Sequence, residues 1–430
     1  MRNYSQFQFD ENLAWKQIEK LSVKIGARFP GSDAEKRAAA HIAAYFNSLG
    51  LVVRQEKFRV LSYECQEYGL KAMSPRLGKI NCVPMGFSAS TPKGGIEAET
   101  VFINKGEHVD ENSNLTGKIL IIYSGLSRER YALVMKKSPA GLIVIDRNMT
   151  QPAHTHFNPE TREISGGVPT IRVSFMDGHE LIKQKIKVVK MIVRFREEMM
   201  VSQNVIAEIR GTDRPDEIIV ICGHYCSTFD IPGAGDNAAG AAIMMELARV
   251  FSKKKPRRTF RFIAFGAEEI TCRGSMFHAQ QLAKRPDEAS KIKLCFNFDE
   301  HGSIFGENTA FVFGPPELKA SISLLAKECG WETNIEEGML ADDTMFAKIG
   351  VPVMALRRQG AQPLHTQLDS MEFLSAKQIG EAGRLAEMWL VRYAAEPDVF
   401  PFEHKLPGNF EEKFASWKEY YKTILEPVTE

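Results

Sequence analysis

The sequence predicts an α/β protein with a mostly parallel central sheet, helices on both faces, and a small inserted β-rich domain. From residue 201 onward, short apolar runs alternate with amphipathic helical segments, which is typical of parallel βα units. Between residues 61 and 199, helical periodicity disappears and short strand-like runs are separated by polar loops. The predicted domains are a discontinuous α/β domain (1–60 and 200–396), an insertion (61–199) and a C-terminal extension (397–430).

The bulk composition is that of a soluble globular protein. The 430 residues are 44% hydrophobic and 25% charged, with a net charge of +1, so we expect neither a nucleic-acid nor an anionic-membrane partner. The N-terminus lacks an apolar core of signal-peptide length, and no run approaches the roughly 18 apolar residues of a membrane span. Seven irregularly spaced cysteines favour reduced thiols. These features predict a cytoplasmic protein, and they are compatible with a homo-oligomer.

The α/β domain begins with a helical lead-in. Apolar positions among charges predict a helix over residues 11–24. Ser32 and Glu35 form a capping box ahead of a second helix that reaches about Leu49. Alternating polarity then predicts a strand over residues 51–60.

The insertion is predicted to be a β-rich module with two helices. Its strand-like runs are residues 100–106, 118–125, 141–148 and 168–174. Its helical segments are Arg128–Lys137 and Asp177–Lys185. Because the regular α/β pattern resumes after it, this module interrupts the larger domain.

The rest of the chain alternates regularly. The predicted strands are 201–211, 217–224, Thr259–Phe265, Ile292–Phe298, Thr309–Phe313 and Val351–Leu356. The predicted helices are Asn237–Ser252, Arg273–Ala283, Leu318–Cys329, Asp342–Ile349 and Ala376–Ala394. We expect the first two strands to be adjacent and joined by a short loop. The tail ends in a short aromatic helical segment around residues 417–421, and either the body of the protein or a partner could cover it.

Residues of the types that bind metals occur at or after the ends of successive predicted strands. They are His224, Asp236, Glu268, Glu269, Asp299 and His365. Each has a simpler interpretation alone: a structural histidine, an aspartate helix cap, or a Glu-Glu pair stabilised by a helix N-terminus. Their joint occurrence at successive strand ends, where α/β proteins bind ligands, instead favours one shared metal site.

These residues carry a resemblance to a known family. The motifs GHYCS, GAGDNAAG, AFGAEE, NFD and HTQLDS resemble the di-zinc exopeptidase family of bacterial leucyl aminopeptidases and aminopeptidase Y. The resemblance spans residues 11–395 and implies the zinc exopeptidase fold. The inserted segments LTGKILIIYSG, AGLIVID and VPTIRVSFMDGHEL resemble a protease-associated (PA) domain.

The resemblance implies a role for each residue. His224 and Asp299 would hold one Zn²⁺, Glu269 and His365 a second, and Asp236 would bridge the two. Glu268 would be the general base acting on a bridging water. It also implies a cis peptide bond between Asp236 and Asn237. Ligands of this kind also suit Co²⁺ or Mn²⁺.

Two positions depart from the family pattern. Cys226 stands where the family commonly has an aspartate that supports the histidine ligand, with Asp230 as an alternative support. Glu300 and His301 replace apolar residues; they are either ordinary loop residues or part of a polar pocket in which Glu300 receives a substrate ammonium. Arg357 is either a solvated loop residue or a group that binds a substrate carboxylate.

The predicted function is a metal-dependent aminopeptidase that acts on peptides with a free N-terminus. A carboxypeptidase or dipeptidase on the same site is the first alternative, especially if Arg357 points inward. A single-zinc glutaminyl cyclase is disfavoured because both sets of ligands are present. A catalytically weak or inactive scaffold is the remaining alternative, which the substitution at Cys226 keeps open.

Overall fold

The computed structural model describes residues 7–159, 167–360 and 364–420. These residues form two compact units. The larger unit contains residues 7–60, 200–360 and 368–420. The smaller unit contains residues 61–159, 167–199 and 364–367.

In chain order, the strands are β1 (Val52–Ser74), β2 (Arg76–Lys79), β3 (Cys82–Pro84), β4 (Ile96–Asn104), β5 (Ile119–Tyr123), β6 (Gly141–Ile145), β7 (Thr170–Val173), β8 (Val188–Ile209), β9 (Arg214–His224), β10 (Arg258–Phe265), β11 (Ile292–Phe298), β12 (Gly306–Phe313), β13 (Asn334–Glu337) and β14 (Val353–Gly360). The helices are α1 (Glu11–Ile18), α2 (Asp33–Ser48), α3 (Arg128–Met135), α4 (Phe175–Lys183), α5 (Gly240–Lys254), α6 (Arg273–Ala283), α7 (Pro286–Ala289), α8 (Pro316–Cys329), α9 (Asp342–Lys348), α10 (Ala376–Leu390) and α11 (Phe410–Tyr420).

The sheet of the larger unit has the order β13-β12-β14-β11-β9-β10-β8. Its centre is parallel, because β14, β11, β9 and β10 pair in the same direction. Antiparallel pairing occurs toward the sides, between β12 and β14 and between β10 and β8. The predicted fold class, a mostly parallel sheet in an α/β protein, is confirmed.

Helices cover both faces of this sheet because its central strands are apolar on both sides. Ile219 and Ile221 of β9 belong to a core that includes residues of α1, α2, α5 and α10. The alternating residues Ile218 and Val220 belong to a second core with Phe346 of α9 and residues of α6. A strand buried on both faces needs a continuous apolar run, which the sequence of β9 provides.

The smaller unit has its own sheet and core. Residues of β8 pair with β4, and the order continues through β5, β6 and β7 to β3. Its core is formed mainly by aliphatic residues of these strands together with Leu181 of α4. The resemblance of this segment to a PA domain stays a prediction.

Several predicted bounds are wrong. β10 lies between β8 and β9, so those two strands are not neighbours in the sheet although they follow each other in sequence. β1 continues to Ser74 instead of ending at residue 60, and β14 continues to Gly360, beyond Leu356. Helix α4 begins at Phe175, two residues before the predicted start.

The C-terminal tail packs on the larger unit. Phe402 is buried and stacks on Trp389 of α10, with ring centroids 5.7 Å apart. Helix α11 begins at Phe410, earlier than the predicted segment, and Phe410 packs against Phe313 with centroids 5.9 Å apart. The part of the predicted aromatic segment at Tyr421 lies outside the described residues. A tail that buries aromatic rings in this way contributes to the core of the unit.

Two further expectations concern cysteines and membranes. All seven cysteines are free thiols, and five of them are buried. Among the described residues, no helix is both long and apolar enough to span a membrane.

Candidate metal centre and active site

The first two candidate ligands meet at the ends of neighbouring strands. His224 is the last residue of β9, and Asp299 directly follows β11, which pairs with β9 in parallel. Because parallel strands end at the same edge, the two side chains converge. His224 Nε2 lies 3.2 Å from Asp299 Oδ1 and 3.3 Å from Asp236 Oδ1, and all three residues are buried.

Asp236 reaches this point through an irregular turn ahead of α5. The Asp236–Asn237 peptide bond is cis, and both residues have non-helical backbone angles. Asn237 Oδ1 accepts a hydrogen bond from Gly240 N at 3.0 Å, and its Nδ2 donates to Phe298 O at 2.8 Å. The predicted helix start at Asn237 is therefore wrong: Asn237 caps the helix, α5 begins at Gly240, and Asp236 is left to face His224.

Backbone contact fixes how close α5 comes to β11. A Cβ atom on Gly240 would lie 2.3 Å from Phe298 O, and one on Gly223 would lie 2.8 Å from the same oxygen. Only glycine fits at such distances. Gly240 therefore lets the segment that carries Asp236 approach the end of β11, and Gly223 lets the end of β9, which carries His224, do the same.

The residues around this point fit a metal ion. His224, Asp236 and Asp299 each offer a ligand atom, and the three atoms lie within 4.8 Å of one another. Tetrahedral zinc with bonds of about 2.0–2.1 Å spaces its ligand atoms about 3.3–3.4 Å apart, close to the two distances that separate His224 Nε2 from the carboxylates. The resemblance assigns a second ion to Asp236, Glu269 and His365; Asp236 and Glu269 belong to the larger unit and His365 to the smaller one.

Negative charge is crowded around His224. Burial lowers the pKa of His224, but the charges of Glu268 and Asp299 outweigh it and raise the pKa well above its usual value. Burial also raises the pKa of Glu268 well above its usual value, and the charges of Asp342 and Glu269 add to the rise against the opposing effect of His224. A bound cation would relieve this repulsion, which supports the metal interpretation.

The two adjacent glutamates follow β10 and have different partners. Glu269 Oε2 accepts a hydrogen bond from Thr228 Oγ1 at 2.8 Å. Glu268 Oε1 accepts one from the Cys272 thiol at 3.2 Å, and its Oε2 lies 3.7 Å from His224 Nε2. Glu268 therefore stands beside the ligand group but outside both sets of candidate ligands, as a base would.

This chain is similar to several known proteins and to one family model. Residues 204–390 match the model of peptidase family M28. The chain is 27% identical over 402 residues to aminopeptidase YwaD of Bacillus subtilis, covering 88% of this chain and 83% of YwaD. It is 24% identical over 406 residues to carboxypeptidase Q of Mus musculus, covering 89% and 85%. The solved structure of BSAP, a zinc aminopeptidase from Bacillus subtilis, aligns with a TM-score of 0.77 at 24% identity, covering 94% of this chain and all of that one.

Within the M28 match, Cys226 lies where the resemblance places a supporting carboxylate. Its Sγ is 3.6 Å from His224 Nδ1 and accepts a hydrogen bond from Glu268 N at 3.2 Å. Burial raises the pKa of this thiol to about 12, so at neutral pH it is uncharged. A neutral thiol is a weaker partner for the imidazole N–H than a carboxylate is.

We therefore expect Cys226→Asp to strengthen zinc binding. A carboxylate at this position would accept the Nδ1–H of His224 and raise the basicity of its other nitrogen. Supporting residues of this type typically change metal affinity about 10–100-fold. Competition with a fluorescent chelator would measure the change, with Cys226→Ser as the matched neutral control. Equal zinc affinity in the wild-type protein and the Cys226→Asp variant would contradict the expectation.

Glu300 and Arg357 pair with each other. Their side chains form an ion pair, and both are mostly buried. Burial and then the charge of Asp236 raise the pKa of Glu300 to about 8, against the opposing charge of Arg357. Because β14 extends past it, Arg357 is a strand residue, so its prediction as a loop residue after the strand is wrong. His301 is buried, and burial lowers the pKa of its imidazole to about 4.

His365 belongs to the segment 364–367 of the smaller unit. The backbone N–H of His154 donates to its carbonyl oxygen at 2.8 Å, and its φ is +58°. The imidazole is half-buried. The resemblance noted in the sequence is the reason to keep it as a candidate ligand.

Three buried residues near the site were not predicted from the sequence: Arg28, Asp342 and Asp369. Arg28 lies outside the segment that matches the M28 model, two residues before Pro30, and nothing in its local pattern marks it. Asp369 is the fifth residue of the HTQLDS motif, which is the signal that could have identified it.

Proposed function

We propose that this protein is a zinc-dependent aminopeptidase that removes N-terminal residues from peptides. The single observation that carries the proposal is the convergence of His224, Asp236 and Asp299 on one point, with Glu268 beside them. A buried set of one imidazole and two carboxylates is chemistry suited to zinc. The match to family M28 and the similarity to YwaD support hydrolysis of peptides as the reaction.

Two zinc ions per chain are proposed. His224 and Asp299 would hold one, Glu269 and His365 the other, and Asp236 both. When bound, zinc lowers the pKa of water toward 7 and polarises a carbonyl group. Support for the second ion comes from the resemblance and from the burial of the Glu269 carboxylate.

Glu268 is proposed as the general base. Its carboxylate takes a proton from the attacking water and passes it to the nitrogen of the leaving group, so the carboxylate returns to its starting state. The Cys272 thiol holds one carboxylate oxygen and leaves the other on the side of His224. The Glu268 side chain is 17% exposed, whereas His224 beside it is buried.

The pairing of Arg357 favours an aminopeptidase over a carboxypeptidase. A carboxypeptidase needs a cation to receive the substrate's C-terminal carboxylate. Arg357, the residue considered for that role, is already paired with Glu300. The similarity to carboxypeptidase Q keeps the carboxypeptidase as a second candidate.

One experiment separates the candidates. The protein is reconstituted with Zn²⁺, its metal content is measured by elemental analysis, and it is tested on aminoacyl anilides, an unblocked tripeptide and the same tripeptide with an acetylated N-terminus. We expect close to two zinc ions per chain and cleavage of unblocked substrates only. Cleavage of the acetylated peptide from its C-terminus would replace the proposal with a carboxypeptidase, and absence of hydrolysis with or without zinc would replace it with a scaffold.

A further inference from the structure

The segment that leads into Asp236 is held from two sides. On one side, the Arg28 guanidinium donates to Pro232 O at 2.6 Å and to Gly233 O at 2.8 Å. On the other, the Asp369 carboxylate accepts from Gly235 N at 2.6 Å and from Asp236 N at 3.2 Å. The Arg28 side chain thus binds two carbonyl groups of this segment, and the Asp369 side chain binds two of its N–H groups.

Arg28 makes this contact from a fully buried position. Its remaining hydrogen bonds also go to backbone carbonyls: Nε to Tyr225 O at 2.6 Å, and Nη1 to Leu21 O at 3.2 Å and to Gly26 O at 3.0 Å. Tyr225 directly follows His224. One guanidinium therefore contacts the backbone next to His224 and the backbone just before Asp236.

The main chain of Arg28 also forms hydrogen bonds with this loop. Its N–H donates to Ser227 Oγ at 2.8 Å, and its carbonyl accepts from Ser227 N at 3.2 Å. Ser227 lies in the same loop, between His224 and Asp236. Side chain and backbone of Arg28 together fix the loop that joins these two ligands.

The charge of Arg28 also suits this place. Its guanidinium remains protonated, because burial lowers its pKa only to about 10. The charges of Asp369, Glu269 and Asp236 act on it, so it lies close to the carboxylates of the site. A buried cation is costly unless it is hydrogen-bonded, and here five carbonyl oxygens accept from the three nitrogens of the guanidinium.

We infer that Arg28 and Asp369 are positioning residues for the metal site: they clamp the loop from Tyr225 to Asp236 and so set the placing of His224 and Asp236. Both residues act through the backbone of this loop and lie outside the two groups of candidate ligand atoms. The inference rests on the proposed metal site. It identifies the residues that hold the ligands of that site in position in the metal-free protein. Preorganised ligands bind a metal more tightly because less ordering remains to be done on binding.

The chemistry of arginine makes the inference testable by a conservative change. Lysine keeps the positive charge but offers three donors on one nitrogen, in place of five in a planar fork. In Arg28→Lys, one donor nitrogen replaces three, so the variant should not keep the hydrogen bonds to Tyr225 O, Pro232 O and Gly233 O together. Asp369→Asn keeps the shape but turns one acceptor into a donor that faces a backbone N–H.

The chain contains a matched control. Arg258 is also fully buried, and it donates to Ala394 O at 3.1 Å, to Pro397 O at 2.7 Å and to Glu217 Oε2 at 2.6 Å. Its partners are outside the loop of the metal site. Arg258→Lys therefore reports what the loss of a buried guanidinium costs in stability alone.

The experiment compares zinc dissociation constants and melting temperatures of the metal-free proteins. Zinc binding is measured by competition with a chelator, below the melting transition of each variant. We expect Arg28→Lys and Asp369→Asn to weaken zinc binding about 10–100-fold, as for other residues that orient ligands. Arg258→Lys should lower the melting temperature and leave the zinc dissociation constant within about twofold.

Two outcomes would overturn the inference. One is a folded Arg28→Lys protein with the wild-type zinc dissociation constant. The other, used if Arg28→Lys does not fold, is a folded Asp369→Asn protein with the wild-type zinc dissociation constant. Failure of the proposed function would look different, because the wild-type protein itself would then bind no zinc or hydrolyse no peptide.

Discussion

Glu268→Gln is expected to bind zinc like the wild-type protein and to lose peptidase activity. The glutamine side chain has the same size and can still accept the hydrogen bond that the Cys272 thiol donates. It cannot take a proton from water at neutral pH. General bases of this type contribute about 10²–10⁴-fold to the rate, and kcat should fall by that factor. Steady-state kinetics on an aminoacyl anilide, together with metal analysis, would measure both properties.

Glu246→Gln is a suitable control for this change. Glu246 is also a buried carboxylate, but it lies on α5 and pairs with Arg249, away from the candidate ligands. That substitution should affect stability and leave kcat near the wild-type value. A kcat for Glu268→Gln within about tenfold of wild type would remove Glu268 from the role of base.

Asp236→Asn should have the largest effect on metal content. Asp236 is the residue proposed to hold both zinc ions, whereas Asp299 is proposed to hold one of them. An amide is neutral and a poorer zinc ligand than a carboxylate, so Asp236→Asn should weaken both positions at once. We expect less than about one zinc ion per chain after dialysis against a weak chelator, and activity near background.

Asp299→Asn is the informative comparison, measured under the same dialysis. If two ions bind, this variant should keep about one zinc ion per chain through Asp236, Glu269 and His365. Full metal content in Asp236→Asn would show that the carboxylate is not a ligand. Equal loss in both variants would favour a single metal ion.

The sequence predicted the part of the site that depends on strand direction. His224 and Asp299 follow apolar runs, and parallel pairing of β9 and β11 brings the ends of such runs together. The apolar runs also led to the central sheet and its covering helices. These predictions rest on periodicity and burial, which local sequence records well.

Other features depend on contacts that local sequence does not record. The small residues that follow Asn237 predict a helix that begins at Asn237. In the structure, the side chain of Asn237 instead bonds to Phe298 O and Gly240 N, so Asn237 lies outside the helix. β10 enters the sheet between two strands that are consecutive in the chain. Such outcomes are decided by pairing between distant segments, for which a single sequence gives no direct signal.

Arg28 shows the same limit at the site itself. Three of the five carbonyls that it binds lie about two hundred positions later in the chain, with a separation of 204 residues to Pro232. An arginine in a polar turn is ordinarily a surface residue. Only the fold reveals that this one is buried beneath the candidate ligands.

The close approach at Gly240 has a consequence for variation of this protein. The spacing between the segments that carry Asp236 and Asp299 is set where one main chain touches another, at Gly240 and Phe298 O. Exchanges among the apolar side chains of the surrounding core leave that contact in place. Many core residues can thus be exchanged while the spacing between the Asp236 and Asp299 segments stays constant. The single methyl group added by Gly240→Ala, in contrast, would push these two segments apart.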